Sequence, residues 1–171
     1  MLPKLLARDL SILAISALAW WSAAPLSAGS GALSDVAGVL LGALFGASAF
    51  LVHEWGHLLG ALATRSAVQA GASLTSPFVF TFESRKNTRR QFLAMSLTGF
   101  AATAVVIWAV YLLPDAWLAS RVARGLVLFL TLLTIVLEVP LVLYSLVTNK
   151  VPPVDGLEAP QLATPAIRDQ A

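Results

Sequence analysis

The sequence predicts an all-α polytopic membrane protein, with four transmembrane helices and a short β-strand or hairpin in one central loop. Three observations carry that class. Of 171 residues, 58% are hydrophobic and only 12% charged, and mean hydropathy is +0.81, which is not the composition of a water-soluble domain. Four stretches of about 20 or more predominantly apolar residues, each long enough to cross a bilayer, lie near 10–28, 36–63, 92–113 and 122–147. The basic residues sit at the ends of these stretches and alternate in density from one connection to the next. Eleven Lys and Arg against nine Asp and Glu give a net charge of +2, and the pI of about 9.4 therefore reflects topology and excludes a nucleic-acid-binding face.

The first span follows Lys4 and Arg8 and ends in Trp20-Trp21-Ser22-Ala23-Ala24-Pro25. Small residues near Leu26-Ser27-Ala28 also fit a signal-peptide cleavage site, and a retained anchor is the reading taken here. Lys4 and Arg8 at the N-terminus, Arg65, Arg85, Lys86, Arg89 and Arg90 in segment 64–91, and Lys150 and Arg168 in the tail contrast with only Arg121 and Arg124 elsewhere. Both termini and the central loop are therefore expected in the cytoplasm, with short connections at 29–35 and 114–121 on the opposite face, and a bacterial inner membrane is the expected setting. Within the central loop, Pro77-Phe78-Val79-Phe80-Thr81-Phe82 alternates with period two after Gly71-Ala72-Ser73, so Phe78, Phe80 and Phe82 are expected on one face of a strand or dipping into the interface. The chain reads as a single membrane domain with a core over 36–156, and segment 157–171, which contains Pro160 and Pro165 and lacks apolar periodicity, is expected to be mobile.

The chemistry lies in the second span. His53-Glu54-Trp55-Gly56-His57 is an H-E-x-x-H sequence on a helix, and residues four apart stack one turn above each other, so both imidazoles can reach one metal ion. Glu54 is then positioned to act as general base on a metal-bound water. These are the protein's only two histidines, and Gly38, Gly42 and Gly46 recur on their helix face, predicting that this face packs into the bundle. With no Cys in the chain, a third protein ligand must be a carboxylate. Two are candidates. Asp155, in Asn149-Lys150-Val151-Pro152-Pro153-Val154-Asp155-Gly156, lies on the same expected side as the histidines, and its prolines let the segment fold back. Glu138, just before Pro140, is the rival, and would lie deeper than the histidines if the fourth span were a straight helix.

Together these residues resemble the site-2 protease family of intramembrane zinc metalloproteases, which pairs H-E-x-x-H in one span with an Asp in an Asn…Pro…Leu-Asp-Gly signature at a later one. His53, Glu54 and His57 match the first motif, and Pro152-Pro153-Val154-Asp155-Gly156 resembles the second with Val154 in the Leu place. Gly99 in Ser96-Leu97-Thr98-Gly99 matches the Gly of a Gly-Pro pair whose Pro is here Phe100, and Asn149 stands closer to Asp155 than the family pattern has it. The resemblance implies zinc held by His53, His57 and Asp155, Glu54 as the catalytic base, and a membrane-spanning protein as substrate, cut near the cytoplasmic side. Strand 78–82 is expected to hold the unwound substrate by edge pairing. The alternative is a catalytically inactive subunit or scaffold of a membrane complex, and a metal transporter is a more distant third.

Overall fold

The computed structural model describes residues 1–154; Asp155 and the tail 157–171 lie outside the described residues. Helix α1 (Leu2–Ala23) runs into a 3-10 turn (Ala24–Ala28) and is followed by α2 (Ala32–Ala63), strands β1 (Val68–Ala70) and β2 (Phe80–Phe82), α3 (Arg89–Tyr111), α4 (Leu118–Leu137) and α5 (Val139–Thr148). Leu2–Ala28, Ala32–Ala63, Arg89–Tyr111 and Leu118–Thr148 are each helical, long and apolar enough to cross a membrane. The expected all-α architecture with a short hairpin is thus what the chain forms. The first helix starts well before residue 10 because hydropathy marks where the chain is apolar, whereas Pro3 near the helix start and the helix-tolerant Lys4, Arg8 and Asp9 let it begin at once.

Local chemistry sets the helix ends. Arg65, at φ 54°, turns the chain out of α2, with Ser66 N–H donating to Ala61 O and Arg65 N–H to Leu62 O, the two bonds of a Schellman ending. Thr88 and Gln91 cap the start of α3 reciprocally, each side chain bonding the other's backbone N–H. The fourth span is broken between α4 and α5, since Pro140 lacks an N–H and its ring crowds the preceding turn.

Helix α2 is the central element, packed on α1, α3 and α4. A Cβ at Gly38, Gly42 or Gly46 would meet Leu118, Val122 or Leu126 of α4 respectively, so partners advance together by one turn and the two helices are parallel. Gly56 and Gly60 meet Thr98, Ala102 and Ala94 of α3, with the order reversed, so α3 runs antiparallel to α2. The glycine stripe expected to pack inward therefore does so, against α4.

The N-terminal part of α1, the loop between α2 and α3, and residues 149–154 gather at one end of the bundle: Arg8 Nη1 donates to Leu74 O and Ser76 O at 2.7 Å, and Val154 N–H to Ser84 Oγ at 3.1 Å. At the other end Ser27 Oγ accepts from Ala119 N–H, and the Trp20 ring lies 6.5 Å from that of Trp117. Outward surfaces of all four spans carry exposed apolar side chains, among them Leu18, Leu33, Trp108, Leu128 and Val136, as a hydrocarbon solvent permits. In the hairpin, Val68 pairs with Phe82 and Ala70 with Phe80, antiparallel. Its base is pinned by Asn87, which bonds both the N–H and the C=O of Ala67, and Phe82 packs on Phe92 of α3 at 6.1 Å.

Candidate metal centre

The two histidines of α2 face α3 and the end of α4. Their Nε2 atoms are 3.0 Å apart. The His57 ring lies over Gly99 so closely that a Cβ there would overlap Cε1, Nε2 and Nδ1; the glycine is what lets the imidazole lie between the helices. Beyond the ring, His57 Nδ1 is 3.0 Å from Met95 O, and His53 Nδ1 is 2.7 Å from Thr103 Oγ1.

Those outer bonds decide where the lone pairs point. A carbonyl can only accept, so His57 carries a proton on Nδ1, and in the neutral ring that leaves Nε2 bare. Thr103 Oγ1 donates its single proton to Gly99 O at 3.2 Å, so it accepts from His53 Nδ1–H, and in the neutral ring His53 Nε2 is bare as well. Orientation of this kind by a partner on the far ring nitrogen is the usual way a metal-ligating imidazole is fixed.

Glu138 completes the group. Its Oε1 lies 2.9 Å from His53 Nε2 and its Oε2 3.1 Å from His57 Nε2, and Oε2 is buried without a hydrogen bond. The expectation that Glu138 would lie deeper than the histidines rested on a straight fourth span. The parallel seam of α2 and α4 brings it level with them instead: Gly38, Gly42 and Gly46 stand opposite Leu118, Val122 and Leu126, and the same register carried along α4 puts residue 138 beside residue 58. One ligand atom from each of His53, His57 and Glu138 lies within 4.8 Å of the others. With both rings neutral, two imidazole lone pairs and a carboxylate converge here, an arrangement that a cation stabilises. The residues fit a metal ion.

Glu54 is buried beside this group. Two apolar cavities meet here and share Glu54, Glu138 and Phe78 as walls. One, of about 200 Å³, is bounded by His57, Phe80, Phe82, Met95 and Leu141. The other, of about 240 Å³, reaches between α2, α3 and α4 past His53, Thr103, Val127 and Leu130.

Asp155, the carboxylate expected as third ligand, lies outside the described residues. The segment before it does fold back: Pro152 is fully buried, and Val154 lines the first cavity with Glu54, His57 and Glu138. Sequence reasoning missed Thr103 and misjudged the depth of Glu138. Glu138 precedes Lys150 by as many residues as His53 precedes Arg65, and counting inward from those basic residues would have placed the two at one level. No family profile, curated protein or solved structure matches the chain.

Proposed function

We propose that this chain is an intramembrane zinc metalloprotease that hydrolyses a peptide bond of a membrane-spanning protein near the cytoplasmic side of the bilayer. The observation that carries the reading is the convergence of the bare His53 and His57 Nε2 atoms on the Glu138 carboxylate, with Glu54 beside them inside a membrane span. The resemblance to site-2 proteases, through His53, Glu54 and His57, supports the same chemistry. A hydrolytic site must leave one coordination place free, so a single carboxylate joins the histidines. Glu138 is our choice, for its unbonded Oε2, and Asp155 is the family-implied alternative.

Zinc held there supplies Lewis acidity that polarises a peptide carbonyl and acidifies a water. Glu54 takes a proton from the attacking water as its oxygen bonds to the carbonyl carbon, and returns it to the leaving amine nitrogen as the C–N bond breaks. Thr103 and Met95 hold the imidazoles in the ligating tautomer. The two cavities accept apolar side chains on either side of the cut and exclude bulk water from it. A substrate helix must unwind before it can enter, because its carbonyls are otherwise hydrogen-bonded within the helix.

The test is Glu54→Gln, which keeps size and one acceptor while removing the base. Zinc content and folding are expected to stay at wild-type values, while cleavage of a co-expressed membrane protein falls by roughly 10²-fold or more. If wild type and variant behave alike in every cleavage assay, the protein is instead a noncatalytic partner within a membrane complex.

A further inference from the structure

Helix α1 lies outside the part of the chain that resembles the protease core, yet it buries an ion pair. Asp9 is fully buried, accepting from Arg8 Nε at 2.7 Å through Oδ1 and from Trp55 Nε1 at 2.8 Å through Oδ2. Trp55 is the residue next to Glu54. The same Arg8 donates through Nη1 to the carbonyls of Leu74 and Ser76, both at 2.7 Å. A buried carboxylate is costly, and nothing in the hydrolytic chemistry uses this pair.

What they hold is the loop between β1 and β2. Leu5, one turn before Asp9, packs beneath Gly71 at the start of that loop, and Gly71 N–H bonds Val79 O at 2.9 Å. At its far end Val79 is fully buried, while Phe78 lies 6.5 Å from Phe50 of α2 and forms, with Glu54, a wall of both cavities. One side of the ion pair thus grips the metal-motif helix, and the other grips the loop whose Phe78 walls the cavities beside the proposed base.

We propose that Arg8 and Asp9 are positioning residues of the catalytic centre: bridging Trp55 to the carbonyls of Leu74 and Ser76, they hold the loop on α2 so that Phe78 stays packed beside Glu54. The proposal rests on the protease reading. A plain helix anchor would need Asp9 and Trp55 alone; the two loop carbonyls on Arg8 are what tie the pair to the site.

The test uses the full-length, zinc-loaded protein in proteoliposomes, with a synthetic single-span peptide carrying a central Asn-Pro-Gly break as substrate. Arg8→Lys keeps the charge but loses the planar fork that reaches Asp9 through Nε and the two carbonyls through Nη1 at once. It is expected to keep wild-type zinc content and KM, to lower kcat by about ten- to a hundredfold, and to raise hydrogen exchange at amides 74–79 by at least about tenfold. Placed on Glu54→Gln, it is expected to change the residual rate by less than about twofold, because a residue that acts through Glu54 has nothing left to position. Asp9→Asn and Trp55→Phe are expected to repeat the pattern, and either serves if Arg8→Lys does not fold. Equal losses of kcat in both backgrounds, or unchanged exchange at 74–79, overturn the proposal. A wild type that binds zinc and cuts no peptide removes the protease reading instead, and exchange at Val79 then decides by itself whether the clamp exists.

Discussion

A carboxylate in the middle of a membrane span is tolerated where a cation shares its charge, and the side chains within bonding distance of Glu138 are the His53 and His57 imidazoles. That makes its removal informative. Glu138→Ala, like His53→Ala and His57→Ala, is expected to reduce bound zinc from about one ion per chain to near none in metal analysis of the purified protein, whereas Asp155→Ala retains it. The opposite result, with Asp155→Ala losing the metal and Glu138→Ala keeping it, returns the third ligand to the one the sequence motif implies. His53, Glu54 and His57 were legible because helical periodicity alone stacks residues four apart. Thr103 was not, since one threonine in an apolar helix carries no pattern; its role exists only where α3 passes His53.

At the scale of the elements, interlocking glycines decide which helix meets which. A Cβ at Gly42 would stand 2.5 Å from both Cβ and Cγ1 of Val122, and 3.0 Å from the Ala119 carbonyl oxygen, so neither helix can yield without moving its backbone. Gly42→Ala is expected to destabilise the protein by about 1–3 kcal/mol in reversible detergent unfolding, despite the better helix propensity of alanine. Gly125→Ala is the control: a Cβ there meets nothing within 4 Å, so the same exchange is expected to be neutral or slightly stabilising. Equal effects at the two positions would mean that the α2–α4 seam is not close-packed in the membrane. The spans were readable as apolar runs and the aromatic strand from its alternation, but β1 was not: Val68-Gln69-Ala70 is too short for a period to emerge, and it exists because Phe80–Phe82 offers an edge to pair with. Likewise, the parallel seam that brings Glu138 to the histidines is a property of two surfaces fitting each other, which neither surface's sequence states.

For the whole molecule, the distribution of charge and the gathering of loops give one orientation. Lys4, Arg8, Arg65, Arg85, Lys86, Arg89, Arg90 and Lys150 belong to segments that meet at one end of the bundle, through Arg8 on the carbonyls of Leu74 and Ser76 and Val154 on Ser84. At the other end the basic residues among those described are Arg121 and Arg124, and the latter is paired with Asp115 and lies over the Tyr111 ring. Translocating many cations is disfavoured, so the first end is expected in the cytoplasm. The chain has no Cys, which makes the expectation directly measurable. Single substitutions Ala72→Cys and Ser30→Cys, both at exposed positions on opposite ends, are expected to react with a membrane-impermeant thiol reagent from opposite sides, Ser30→Cys in intact cells and Ala72→Cys only after the membrane is opened. Labelling of both from one side would break the four-span arrangement and, with it, the shared depth of His53, His57 and Glu138. Labelling from opposite sides in the reverse sense would leave the metal centre intact but move the proposed cut to the other face of the bilayer.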